Sequence, residues 1–354
     1  MRPACGAFLH ALREPAVMAG FDTQIWDHVI RQARAAGLLG RLGALASGFS
    51  ERLPEAVWRH LEAALTLAEQ QRRAVHWELG QLSRTLASIE GPVVLLKGAA
   101  YAAADLPPAA GRIFTDIDLL VPQAQLGTAE LALRLDGWFT SAHDAYDLRY
   151  YREWMHELPP MRHIRRQTLL DLHHNILPET SRRKTQPALI LAAALPLAEF
   201  PRFSIPEPAD QVLHSATHLF HEGEWQHGLR DLADIDALLR AYGADAAFWP
   251  RLLARAATLN LGRPLYYALR YARHLLRTPI PEETIANCPE RPGSVSGAVM
   301  DALFLPAFAS AHAECRAAFS GIASFLLYVR SHWLRMPVHL LIPHLLRKAF
   351  KPVE

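Results

Sequence analysis

The hydrophobic period of this chain changes abruptly at Gly91-Pro92. Up to that point apolar residues recur at three- and four-residue steps, as in WRHLEAALTLAEQQRRAVHWELGQLSRTLASI, so residues 22–90 read as amphipathic helix. Beyond the breaker pair, Val93-Val94-Leu95-Leu96 is a short, continuous, partly β-branched run that suits a buried strand. Helices must therefore pack around a sheet.

The mixed pattern continues. A short helix over Ala99 to Ala104 is followed by the loop DLPPAAGR, a second strand candidate from Ile113 to Val121, and an amphipathic helix from Gln123 to Leu135 stopped at Asp136-Gly137. Trp154 to Pro159 and Thr168 to Ile176 read as two more strands. Beyond Pro187 the pattern is helical again, in ADQVLHSATHLF, HGLRDLADIDALLRAYG, AAFWPRLLARAATL and GRPLYYALRYARHLLR. The expectation is an α+β protein: an N-terminal helical region over residues 1–90, a small mixed-sheet core over 91–185, and a C-terminal helical domain over 186–354.

Composition limits the partners. With 354 residues and 51% hydrophobic content there is ample core, while a net charge of +2 gives no general attraction to nucleic acid. The N-terminus lacks a signal-peptide core, because His10, Arg13 and Glu14 interrupt it, and no run is long enough to span a bilayer, so a cytoplasmic protein is expected. Cys5, Cys288 and Cys315 are far apart and odd in number, which reads as free thiols rather than a disulfide framework.

The chemistry is concentrated in TDIDLLV. On a strand, Asp116 and Asp118 point to one face while the residues between them turn to the core, and two neighbouring carboxylates repel unless a divalent cation neutralises them. Oxygen donors favour Mg2+ or Mn2+. A third acid, Asp171, lies within the strand-like TLLDLHHNIL and can join the same ions, making a two-metal site for in-line phosphoryl or nucleotidyl transfer in which Asp171 also accepts the proton of the attacking hydroxyl. Lys97 and Gly98, at a strand-to-helix turn, offer a cation and backbone N–H groups to phosphate, and Arg112 adds a bidentate donor.

The ordered combination of LLKGAAYA, the Arg before TDIDLLV, LLDLHHNI and the downstream HGLRDLADIDALL resembles the bacterial family of uncharacterised nucleotidyltransferases, within the superfamily typified by DNA polymerase beta. The likeness spans about residues 60–245. It implies that Asp116 and Asp118 are metal ligands, that Asp171 is the third carboxylate, that Gly98 is the phosphate-loop glycine, and that Lys97 and Arg112 contact phosphate. The superfamily places Ser or Thr after that glycine, whereas here Ala99 and Ala100 follow it.

Several residues have two readings. His173, which shares the face of Asp171, is a metal or nucleotide contact or a structural histidine, and the same holds for His156 and Glu157. His214, His218 and His221 fall on one helix face, fitting a cleft-lining or hydrogen-bonded role better than zinc, while Arg230, Asp231 and Asp234 read as a solvated face, with Asp231 implied by the likeness to help close the cleft. The basic, apolar stretch FLLYVRSHWLRMPVHLLIPHLLRKAFK is expected to pack on the body of the protein, the alternatives being a membrane surface, an acidic partner or RNA. The expected activity is Mg2+- or Mn2+-dependent transfer of a nucleoside monophosphate from a nucleoside triphosphate to an acceptor hydroxyl on a small molecule, protein or RNA. The rivals are a non-catalytic nucleotide-binding scaffold and a toxin-like enzyme modifying transfer RNA. The small net charge disfavours RNA.

Overall fold

The computed structural model describes residues 3–140, 145–221, 223, 225–309, 312–316 and 319–343. Its N-terminal part is helical: α1 (Pro3–Arg13), α2 (Thr23–Ala35), α3 (Leu39–Ala46) and the long α4 (Glu55–Thr85). The sheet then begins with β1 (Val93–Leu96) and continues, through α5 (Lys97–Ala103), β2 (Asp116–Leu120), α6 (Leu126–Asp136), β3 (Trp138–Thr140), α7 (Ala145–Trp154) and β4 (Met161–His163), to β5 (Leu169–His173). After α8 (Pro187–Ala192) come β6 (Leu195–Pro196) and β7 (Phe203–Ile205). The remainder is α9 (Pro208–His221), α10 (Gly228–Tyr242), α11 (Phe248–Thr258), α12 (Gly262–Leu276), α13 (Glu282–Ala286), α14 (Ser294–Phe308) and α15 (Ser320–Arg335).

This is the α+β architecture the sequence implied, with one mixed seven-stranded sheet in the order β3-β4-β5-β2-β1-β7-β6. Val93, Val94, Leu95 and Leu96 are fully buried, as a run apolar on both faces requires at the middle of a sheet. β1 lies antiparallel to β2, and β2 lies parallel to β5, so that Asp118 stands directly opposite Asp171. Gly137 stops α6 in the left-handed conformation at φ 101°, which a residue without Cβ adopts freely.

Three expectations change. Trp154 to Pro159 is not a strand: α7 ends at Trp154, and Glu157 makes only a single antiparallel bridge to His173. The fourth strand lies further on, at Met161–His163, where it pairs with both β3 and β5. Past Pro187 the chain is not wholly helical, since β7 adds to β1 in parallel and β6 adds to β7. Cys288 is a buried free thiol, but Cys315 is disulfide-bonded.

One apolar core runs from Phe8 to Leu327, joining the N-terminal helices, the sheet and the C-terminal helices. α15 packs on α14 and α9, while Ile322, Phe325 and Trp333 on it stay exposed. Arg347, Lys348 and Lys351 lie outside the described residues. No helix among the described residues is long and apolar enough to cross a membrane.

Candidate active site

Alternation along β2 sends Ile117 and Leu119 into the core and turns Asp116 and Asp118 to the opposite face. Because β5 runs parallel in register, Asp171 faces the same way as Asp118 and His173 follows two residues on. The three sequence-predicted acids therefore share one face of two adjacent strands. Asp116 is the outermost and accepts a hydrogen bond from Thr115 Oγ1 at 3.0 Å.

Asp118 is only 5% exposed, and an isolated carboxylate there would be costly. Burial pushes its pKa up, but the Lys97 ammonium, 3.9 Å from Oδ1, and His173, whose Nε2 lies 3.0 Å from the same oxygen, outweigh burial and hold Asp118 ionised, far below the usual carboxylate range. The opposite happens at Asp171. Burial first, then the negative charges of Asp118, Glu157 and Asp116, push its carboxyl up to about 7. Two acids in register thus divide into one ionised group and one that holds its proton near neutrality, which is the pattern of paired carboxylates with separate tasks.

His173 sits beneath them. Burial would lower its basicity, but the hydrogen bond to Asp118 and the charges of Glu157 and Asp118 raise it. Its Nδ1 lies 3.2 Å from Glu157 Oε2.

Lys97 opens α5 with φ 41°, a left-handed conformation that costs a lysine about 1 kcal/mol and turns its ammonium toward Asp118. Gly98 is required by its neighbour: a Cβ there would stand 2.8 Å from Arg112 Nη1 and 3.2 Å from Phe114 Cδ1. Ala99 and Ala100 are buried at 1% exposure each, so no side-chain hydroxyl occupies this turn.

Arg112 is buried against an acid. Its Nε donates to Asp234 Oδ2 at 2.8 Å, while Arg41 Nη2 donates to Asp234 Oδ1 at 3.2 Å. Asp234 is therefore not on a solvated face: it is 4% exposed on the buried side of α10, and it fixes both guanidinium groups. Asp231, one turn earlier, does face the cleft and pairs with Arg230 at 2.9 Å. His218 lines the same cleft, whereas His214 and His221 are buried.

The cleft bounded by Lys97, Gly98, Arg112, Asp116, Asp118 and Asp231 has a volume of about 90 Å3. At roughly 10–15 Å3 per water centre that is room for several waters, or for phosphate oxygens and a cation, and not for a whole nucleotide. Asp171 is absent from its lining, being set beside it on β5. In donor type the three aspartates fit Mg2+ or Mn2+, and the carboxyl of Asp171 is raised first by burial and then by the neighbouring negative charges that a cation would neutralise. Their oxygens are more widely spread than a closed site requires, because the trio of metal-type donors lying within 4.8 Å of one another among the described residues is His156, Glu157 and His173. Asp234, expected on a solvated face, is instead the buried acid that positions Arg112. Its signal was Arg112, an arginine in an apolar neighbourhood that needed a counter-charge.

A family model described as an uncharacterised nucleotidyltransferase matches residues 22–277, which take in α2 through α12 and every residue of this cleft. No curated protein and no solved structure shows significant similarity.

Proposed function

Because the chain belongs to the uncharacterised nucleotidyltransferase family, we propose that it transfers a nucleoside monophosphate from a nucleoside triphosphate to an acceptor hydroxyl, in the cytoplasm, with Mg2+ or Mn2+ held by Asp116, Asp118 and Asp171. The observation that carries this reading is the register of β2 on β5, which puts an ionised Asp118 opposite a proton-holding Asp171 beside a cleft bearing Lys97 and Arg112. When bound, the cations supply charge neutralisation and Lewis acidity at the phosphates. In its ionised form, which a carboxyl raised to about 7 still reaches near neutrality, Asp171 takes the proton of the acceptor hydroxyl as that oxygen bonds to the α-phosphorus, and the bond from that phosphorus to the bridging oxygen breaks to release pyrophosphate. Lys97 and Arg112 hold the triphosphate, with Arg112 fixed in place by Asp234. A cleft of about 90 Å3 takes phosphates and leaves base and ribose at its mouth.

A second reading rests on Ala99 and Ala100, which leave the phosphate turn without a hydroxyl: a scaffold that binds nucleotide and releases no product. One experiment separates the two. The protein is incubated with each α-32P-labelled nucleoside triphosphate, MgCl2 and a host-cell extract, beside Asp116→Asn. Transferase activity predicts label on a discrete species with the unaltered protein only. Nucleotide retained without transfer, equally in both proteins, contradicts it.

A further inference from the structure

Beneath the aspartates lies a second group of donors that the transfer reaction does not require. Directly after α7 the backbone is pinned to the end of β5: Leu158 N donates to Leu172 O at 2.9 Å, and His174 N donates to His156 O at 2.9 Å. This brings His156 and Glu157 against His173, with the two imidazole centroids 5.4 Å apart. A ring nitrogen of His156, a carboxylate oxygen of Glu157 and a ring nitrogen of His173 all lie within 4.8 Å of one another.

The spacing is that of ligands around one ion. Zn–N and Zn–O bonds of about 2.0–2.2 Å at tetrahedral angles separate neighbouring donors by roughly 3.3 Å. Here Glu157 Oε2 is 3.2 Å from His173 Nδ1 and 3.8 Å from His156 Nε2. Although 3.2 Å is within hydrogen-bonding range, His173 Nδ1 makes no hydrogen bond, and it belongs to a ring only 4% exposed. A buried polar atom without a hydrogen bond, aimed at a carboxylate and a second imidazole, is unfavourable unless something joins them. The other nitrogen of that ring is set for ligation: His173 Nε2 bonds Asp118 Oδ1 at 3.0 Å, and a metal-bound histidine characteristically gives its second N–H to a carboxylate, leaving Nδ1 with its lone pair forward.

We propose that His156, Glu157 and His173 form a Zn2+ site, separate from the carboxylate set that would take Mg2+. Two imidazoles and one carboxylate suit a borderline cation and leave a fourth position for water, whereas Mg2+ prefers six oxygens. The bound ion orients His173 and through it Asp118, so its influence on transfer is one of positioning. The inference does not depend on the nucleotidyl-transfer reading.

The test is equilibrium dialysis of the metal-stripped protein against ZnCl2 in excess MgCl2, with Co2+ as a spectroscopic stand-in. The unaltered protein should retain about one Zn2+ per chain and give the intense visible Co2+ bands of a four-coordinate nitrogen–oxygen site. His156→Ala and the volume-conserving Glu157→Gln should each weaken binding about a hundredfold, while Asp171→Asn, which leaves all three proposed Zn2+ ligands in place, should bind Zn2+ within a few-fold of the unaltered protein. Far-ultraviolet circular dichroism confirms that each variant is folded. Failure of the folded, unaltered protein to take up stoichiometric Zn2+, or undiminished uptake by His156→Ala or Glu157→Gln, would overturn the site.

Discussion

Gly98 and Asp234 act on the same guanidinium from opposite sides. A methyl group at residue 98 would meet Arg112 Nη1 at 2.8 Å, so Gly98→Ala must displace Arg112 or shift the β1–α5 turn. The expected cost is about 1–3 kcal/mol in chemical denaturation, typical of overpacking, together with weaker nucleotide binding. Asp234→Ala is the more severe change. It removes the acid that pairs with Arg112 and Arg41, whose side chains are 11% and 12% exposed, and stranding buried cations costs about 3–5 kcal/mol. A loss under 1 kcal/mol would show that these arginines find other partners. Asp234 also marks a limit of residue-level reading. In RDLADIDALL the spacing of Leu232, Ile235 and Leu239 marks a core stripe, but the burial of Asp234 depends on Arg112, more than a hundred residues away in sequence.

At the scale of elements, β1, β2 and β5 were legible because each carries a run of apolar or alternating residues of strand length. Asp-Ile-Asp-Leu-Leu in particular fixes which side chains share a face. WFT, MRH, LP and FSI were not legible as strands, since two or three residues are too few to show a period of two and pairing to a preformed neighbour decides their conformation. The strand expected over residues 154–159 failed for a related reason: an apolar segment beside β5 was used to close a side-chain cluster, with one bridge at Glu157. The alternation of β2 makes a prediction. Leu119→Ala, on the fully buried face, should lower stability by about 2–5 kcal/mol while transfer per folded molecule persists. Asp116→Asn, two strand positions from Asp118, should abolish transfer while the unfolding midpoint moves little. If both changes acted only through stability, the two faces of β2 would not be functionally distinct.

At the scale of the whole molecule, the cleft needs the sheet and the C-terminal helices together, because Lys97, Asp116 and Asp118 come from the β1–α5 turn and β2 and His218 and Asp231 from α9 and α10. The same packing buries His214 and His221 and covers most of His156, and this desolvation, with nearby cations, holds all three below the ordinary histidine range, His221 at about 3. The sign of the consequence is fixed. Between about pH 6.5 and 3 the unfolded chain binds protons at these positions that the native state refuses, so stability is lost as pH falls through that window. For His221 alone the loss reaches about 2 kcal/mol by pH 5. Urea titrations at pH 7 and pH 5 should show this decline, and His221→Phe should reduce it by about that amount. An equal decline in the variant would place the acid sensitivity elsewhere. The central claim, that Asp116, Asp118 and Asp171 act together on cations and a triphosphate, is most directly tested by counting bound Mn2+ with electron paramagnetic resonance in the presence of an α,β-methylene nucleoside triphosphate. Mn2+ binding should require the nucleotide and weaken at least tenfold in both Asp118→Asn and Asp171→Asn. Nucleotide-independent binding, or binding unchanged in Asp171→Asn, would contradict it.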